Sequence, residues 1–179
     1  MNTFSATISS DVRMARTYLL AALFVVGNIA LPQLVHFIPG GGPMLLPIYF
    51  FTLIAAWRYG FTTGLVTALA SPLINHLLVG MPSAEMLPVL LSKSVLLASA
   101  AGYISYRLRG EVSIKWLIVV VLAYQLPGML IELGVTGSWT MAFQDIRVGW
   151  LGMMVQVVGG YFLIPALRAM INDGASRND

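Results

Sequence analysis

Most residues between Arg16 and Met170 belong to apolar runs, and the joints between runs are too short to be domains of their own. The runs cover residues 16–38, 44–57, 60–79, 87–107, 114–135 and 148–170. Most of them approach the roughly 20 residues that an α-helix needs to cross a bilayer. Inside a bilayer no water satisfies backbone N–H and C=O groups, so runs of this kind fold as helices that satisfy their own. Only 9% of the residues are charged and 58% are hydrophobic, with a mean hydropathy of +0.84. Soluble domains carry roughly 25% charged residues. The expected fold is therefore an all-α integral membrane protein, a six-transmembrane-helix bundle over residues 16–171. Short tails at 1–15 and 172–179 flank it. The first run follows Arg13 and Arg16, is too long for a signal-peptide core and lacks a small-x-small cleavage site, so it is expected to remain as a membrane helix.

The joints are chemically distinct. Pro39-Gly40-Gly41-Gly42-Pro43 predicts a helix stop, Trp57-Arg58-Tyr59-Gly60 a tight basic hinge, and Gly80-Met81-Pro82 a turn. The second run, at about 14 residues, is short for a full span and suits a tilted or re-entrant element as well. Charge decides between these, because Lys and Arg gather in cytoplasmic loops. With six crossings and the N-terminus inside, Arg13, Arg16, Arg58, Arg107, Arg109, Lys115, Arg168 and Arg177 all lie inside, Arg147 lies outside and Lys93 lies in the membrane. Without the second crossing most of these move outside. Six crossings and cytoplasmic termini are the expectation. Three external connections follow, at 39–43, 80–86 and 136–147.

Composition also excludes function classes. The basic residues stand singly between apolar runs and form no stripe for nucleic acid. Cysteine is absent, which removes disulfides, thiolate metal sites and a cysteine nucleophile. The histidines, His36 and His76, have no carboxylate at ligand spacing, so no metal site is expected. No HExxH, phosphate-gripping glycine loop or serine–histidine–carboxylate set is present, and the expectation is a non-enzyme without a cofactor.

The polar residues that remain inside the runs carry the functional signal. Lys93 and Glu132 each lie a few residues below the external end of their helices. An ionisable group at that depth costs on the order of 3 kcal/mol on insertion scales, so the two either pair or line a solute pocket. Gln125 shares a helix face with Glu132, with Pro127-Gly128 between them. Asn75 and His76 follow Pro72 by about one turn and suit either interhelical hydrogen bonds or ligand contact, and Gln156, between Gly152 and Gly160, suits a pocket or a neighbouring helix. His36, Tyr49, Trp139, Gln144, Asp145 and Arg147 are candidates for a lid, whereas Trp57, Tyr59, Tyr106 and Trp116 read as interfacial anchors. Gly60, Gly64 and Ala68 fall four residues apart on one ridge, where small residues let helix backbones approach closely in lipid.

The central run from Leu46-Pro47 through Trp57-Arg58-Tyr59-Gly60 to Ser71-Pro72-Leu73 and Gly80-Met81-Pro82, together with the short-helix plan, resembles the substrate-binding S component of energy-coupling factor (ECF) vitamin transporters. The resemblance implies a subunit of the bacterial cytoplasmic membrane that captures a vitamin or vitamin precursor from outside. It implies a coupling transmembrane subunit and two ATPase subunits as partners, and toppling in the bilayer to release cargo. Asn75, His76, Lys93, Gln125, Glu132 and Gln156 occupy regions that hold ligand in that family. One cation and one anion suit a small zwitterionic or carboxylated solute such as pantothenate or a pyridoxine-like compound. Ala21 and Ala22 are followed four residues later by Val25 and Val26 rather than by a second alanine, so the Gly60–Gly64–Ala68 ridge is the expected coupling face. The competing resemblance is to the cell-shape protein MreD, a membrane scaffold that binds protein partners.

Overall fold

The computed structural model describes residues 2–35, 37 and 39–176, and the side chains of 14–35, 37 and 39–168. Its helices are α1 (Asn2–Val35), α2 (Gly41–Leu45), α3 (Phe50–Tyr59), α4 (Phe61–Val79), α5 (Leu87–Arg107), α6 (Ile114–Thr136), α7 (Trp139–Ala142), α8 (Gln144–Arg147) and α9 (Trp150–Ser176). No strand occurs among the described residues. Five helices are long and apolar enough to cross a membrane: Met14–Val35 within α1, then α4, α5, α6, and Trp150–Arg168 within α9. By length and composition these give the chain the character of a multi-pass membrane protein. The segment read as an N-terminal tail continues α1 back to Asn2.

The second apolar run departs from the expectation of one helix over 44–57. Pro47 has no N–H to donate and disfavours helical backbone at the residue before it, so the chain breaks there. Leu46 takes a left-handed conformation at φ 46°, Pro47–Tyr49 forms a single 3-10 turn, and α3 starts only at Phe50. The first helix does stop before Pro39–Pro43, ending at Val35, and the stretch also begins the short helix α2 at Gly41. Pro43 is tolerated because it sits in the first turn, where its missing N–H would have had no partner. What remains of the run, α3, has ten residues, about 15 Å at 1.5 Å per residue.

This short helix is the centre of the bundle. Leu53, Ile54, Ala55 and Ala56 are fully buried, and α1, α4, α5 and α9 pack around α3. The small-residue ridge divides into two jobs. A side chain at Gly64 would lie 2.6 Å from Ala56 Cα, and Ala68 is fully buried, so these two let α4 lie against its neighbours. Gly60 has open space around it and a φ of 95°, which makes it the turn between α3 and α4 rather than part of a packing face.

A buried amide ties α1 to this centre. Asn28 Nδ2 donates to Thr52 Oγ1 and to Ser71 Oγ, both at 3.0 Å. Its Oδ1 accepts from Phe51 N at 3.2 Å, an N–H left without an intrahelical partner because α3 has only just begun. Asn75 Nδ2 completes the set by donating to Asn28 O at 3.0 Å. Around the outside Leu77, Tyr106 and Phe162 are among the most exposed apolar side chains, as a lipid-facing perimeter requires.

Candidate functional site

At the end of the bundle where the chain breaks before α3 there is a cavity of about 500 Å³. Its wall is assembled from six places in the sequence: the end of α1, the broken segment from Pro39 to Tyr49, Asn75 with the Met81–Ser83 turn, Lys93 on α5, Glu132 on α6, and Gln144-Asp145 on α8. Gly149, just before α9, and Gly152, in its first turn, fix the broken segment there. A Cβ at Gly152 would lie 3.0 Å from Leu45 Cα, and one at Gly149 would lie 2.8 Å from Leu46 Cδ1. The strap is therefore pressed directly on the α9 backbone, where any larger residue would displace it.

The cavity's charged group is a three-part cluster. Lys93 Nζ bonds Glu132 Oε2 and also donates to Asp145 Oδ2 at 2.8 Å. The lysine side chain is 2% exposed and that of Asp145 16%, so Asp145 is the member nearest the opening. The Lys93 stem crosses α6 at Gly128, where an added Cβ would lie 2.6 Å from Lys93 Cγ. Pro127-Gly128 thus clears a slot for a buried ammonium. Local signals bring the second carboxylate in. Gly137 at φ 63° ends α6, and Ser138 caps α7 by accepting from Met141 N at 3.4 Å, which turns the chain back over the cavity. One ammonium against two carboxylates leaves the cluster with a negative charge to spare.

Of the residues singled out in the sequence, the cavity brings together Tyr49, Asn75, Lys93 and Glu132, with Gln144 and Asp145 from the lid candidates. Tyr49 is 2% exposed and its ring lies 5.1 Å from that of Tyr124. Tyr124 hydroxyl donates to Gln156 Oε1 at 3.0 Å, so Gln156 sits one layer behind the cavity wall. Gln125 is likewise buried and is not a lining residue, and the Nε2 groups of both glutamines have no partner among the described residues. His76 also stays outside the wall. Its Nδ1–H donates to Pro82 O at 2.7 Å, which holds the Met81–Ser83 turn against the end of α4. Trp139 is 60% exposed and stacks near Phe143 at 5.9 Å, away from the lining. His36 lies outside the described residues.

Comparison with known proteins finds no matching family model, no matching curated protein and no matching solved structure. The functional reading therefore rests on the site itself.

Proposed function

We propose that the chain is the membrane-embedded substrate-binding subunit of an ECF-type importer, capturing a vitamin or related micronutrient for ATP-driven uptake by partner subunits. In this reading α3 is the short second crossing of six, both termini are cytoplasmic, and the Pro39–Tyr49 strap with the α7–α8 loop faces outward. The membrane is the bacterial cytoplasmic membrane. The observation that carries the reading is the cavity of about 500 Å³, a volume typical of small-molecule sites, with a charged cluster buried in its wall and apolar Leu46, Ile48 and Leu90 beside it. Ionisable groups within a membrane bundle either pair or mark solute paths, and here the paired groups line a cavity, which favours solute capture over a scaffold that only binds proteins.

The cluster also narrows the solute. Both hydrogen-bonding carboxylates are already engaged by Lys93, so its charge is spent and the surplus is negative. A positively charged or zwitterionic solute, its cation placed near Asp145, complements the site better than a simple carboxylate does. The test is native mass spectrometry of the detergent-purified protein, released from its host without added ligand, beside a thermal-shift screen of vitamins and precursors. The expected result is a retained small molecule displaced by one cationic or zwitterionic compound that also raises Tm. An empty protein that no compound in the panel stabilises would overturn the reading.

A further inference from the structure

At the end of the bundle opposite the broken strap lie two adjoining cavities of about 610 and 830 Å³, which share Trp57, Arg58, Arg109 and Gly110. We propose that this end is a phospholipid site that holds the phosphate diester of a lipid headgroup. The elements that build it are the end of α3, the turn after α5 and the late part of α9. Ser105 Oγ donates to Trp57 O at 2.6 Å and locks α5 to α3. The chain then reverses through Arg109 at φ 54° and Gly110 at φ 79°, with Gly110 N donating to Ser105 O at 2.9 Å. An arginine is rarely found in left-handed backbone, and here that conformation sets it on the cavity wall beside Arg58.

The unsatisfied groups all have one polarity. Trp57 is 2% exposed, and among the described residues neither its indole N–H nor the buried Nε–H of Arg58 has a partner. Buried polar groups are nearly always hydrogen-bonded, so two unpaired donors on adjacent residues that line one space call for an acceptor to fill it. Arg109 and Arg168 add two guanidinium groups to the 610 Å³ cavity against the single carboxylate of Glu111. No ion pair joins Glu111 to any of these arginines among the described residues. Donors without acceptors and a net positive wall select an oxyanion, and the planar fork of arginine matches phosphate in particular. The rest of the lining makes the ligand an amphiphile. Tyr161, Phe162, Ile164 and Pro165 continue the cavity along α9, and Phe162 is 66% exposed on the perimeter, where an acyl chain would lie.

Native mass spectrometry during stepwise delipidation tests this with the full chain, and its readout does not depend on whether the other end captures a solute. The wild type should retain one phosphatidylglycerol. Arg109→Gln with Arg168→Gln, both at exposed side chains, should keep Tm but weaken phosphatidylglycerol binding by about tenfold or more. Trp57→Phe keeps an aromatic side chain, removes the donor and should weaken it several-fold. Equal lipid retention by the wild type and the double variant would overturn the proposal. So would inorganic phosphate that stabilises the protein as well as phosphatidylglycerol does, since the free anion would then be the ligand.

Discussion

Replacing Lys93 with methionine removes the ammonium and keeps most of the stem that lies in the Gly128 slot. Glu132 and Asp145 oxygens both bond Nζ, so without it two carboxylates face each other within about 5 Å. At an effective dielectric of about 20 their repulsion is roughly 3 kcal/mol. Breaking a buried pair by removing one partner typically costs about 3–5 kcal/mol. For a chain of this size each kcal/mol moves Tm by about 2–4 °C, so Lys93→Met should lower Tm by about 10 °C. The triple variant Lys93→Met, Glu132→Gln, Asp145→Asn keeps the shapes and removes every charge, and should return to within about 1 kcal/mol of wild type. Both variants should lose solute binding. The assay is thermal unfolding in one detergent, followed by tryptophan fluorescence, with binding measured in parallel. If the triple variant is as unstable as the single one, the cost comes from lost packing and the three groups do not act as an electrostatic unit. If Lys93→Met is neutral, the ammonium adds no net stability to the cluster.

Gly152→Val places side-chain atoms where the Leu45 backbone now lies. It should cost about 1–3 kcal/mol in thermal unfolding and weaken solute binding, because the strap that closes the cavity must move away from α9. Asn28→Leu strips three hydrogen bonds and leaves Phe51 N–H without a partner. A loss of about 2–3 kcal/mol should follow in the same unfolding assay. Tyr49→Phe should leave the unfolding free energy within about 1 kcal/mol of wild type, whereas Tyr49→Ala should lose about 3–5 kcal/mol by opening a hole beside Tyr124.

The long helices were legible because a bilayer imposes one length and one polarity on each of them, and the bounds of α5 match the apolar run that predicts it. The break in the second run was not. Pro47 announces it, but apolar residues continue on both sides, so hydropathy alone runs the strap and α3 together. The site was legible in its charges. Lys93 and Glu132 stand out in a chain this poor in ions, and both the pairing and the pocket-lining alternatives hold for them at once. Asp145 was legible as a lid candidate but not as a partner of Lys93, since only the Gly137 stop and the Ser138 cap turn its loop back onto that lysine. Asn28 was overlooked as one amide among apolar neighbours, although an asparagine inside a membrane helix must find partners. His76 and Gln156 have partners of their own that keep them out of the cavity wall, which residue type cannot reveal.

The shortness of α3 brings the cavity deep into the bundle. From Tyr49, on its wall, to Trp57, at the opposite end, there are eight residues, about 12 Å of helix. That gap is filled by Leu53, Ile54, Leu97, Leu117 and Val120, all fully buried, with Tyr124 and Gln156 above them. A conduit through the bundle would have to part side chains packed at the density of a protein interior. In the proposed function the strap, which packs on Gly149 and Gly152 and leads from α1 through Pro39–Pro43, would lift to open the mouth through which a solute would enter. Under the proposed function, presenting that mouth to the other side asks less of the packed core than threading it would, so the reading is of a reorienting binding subunit and not of a channel.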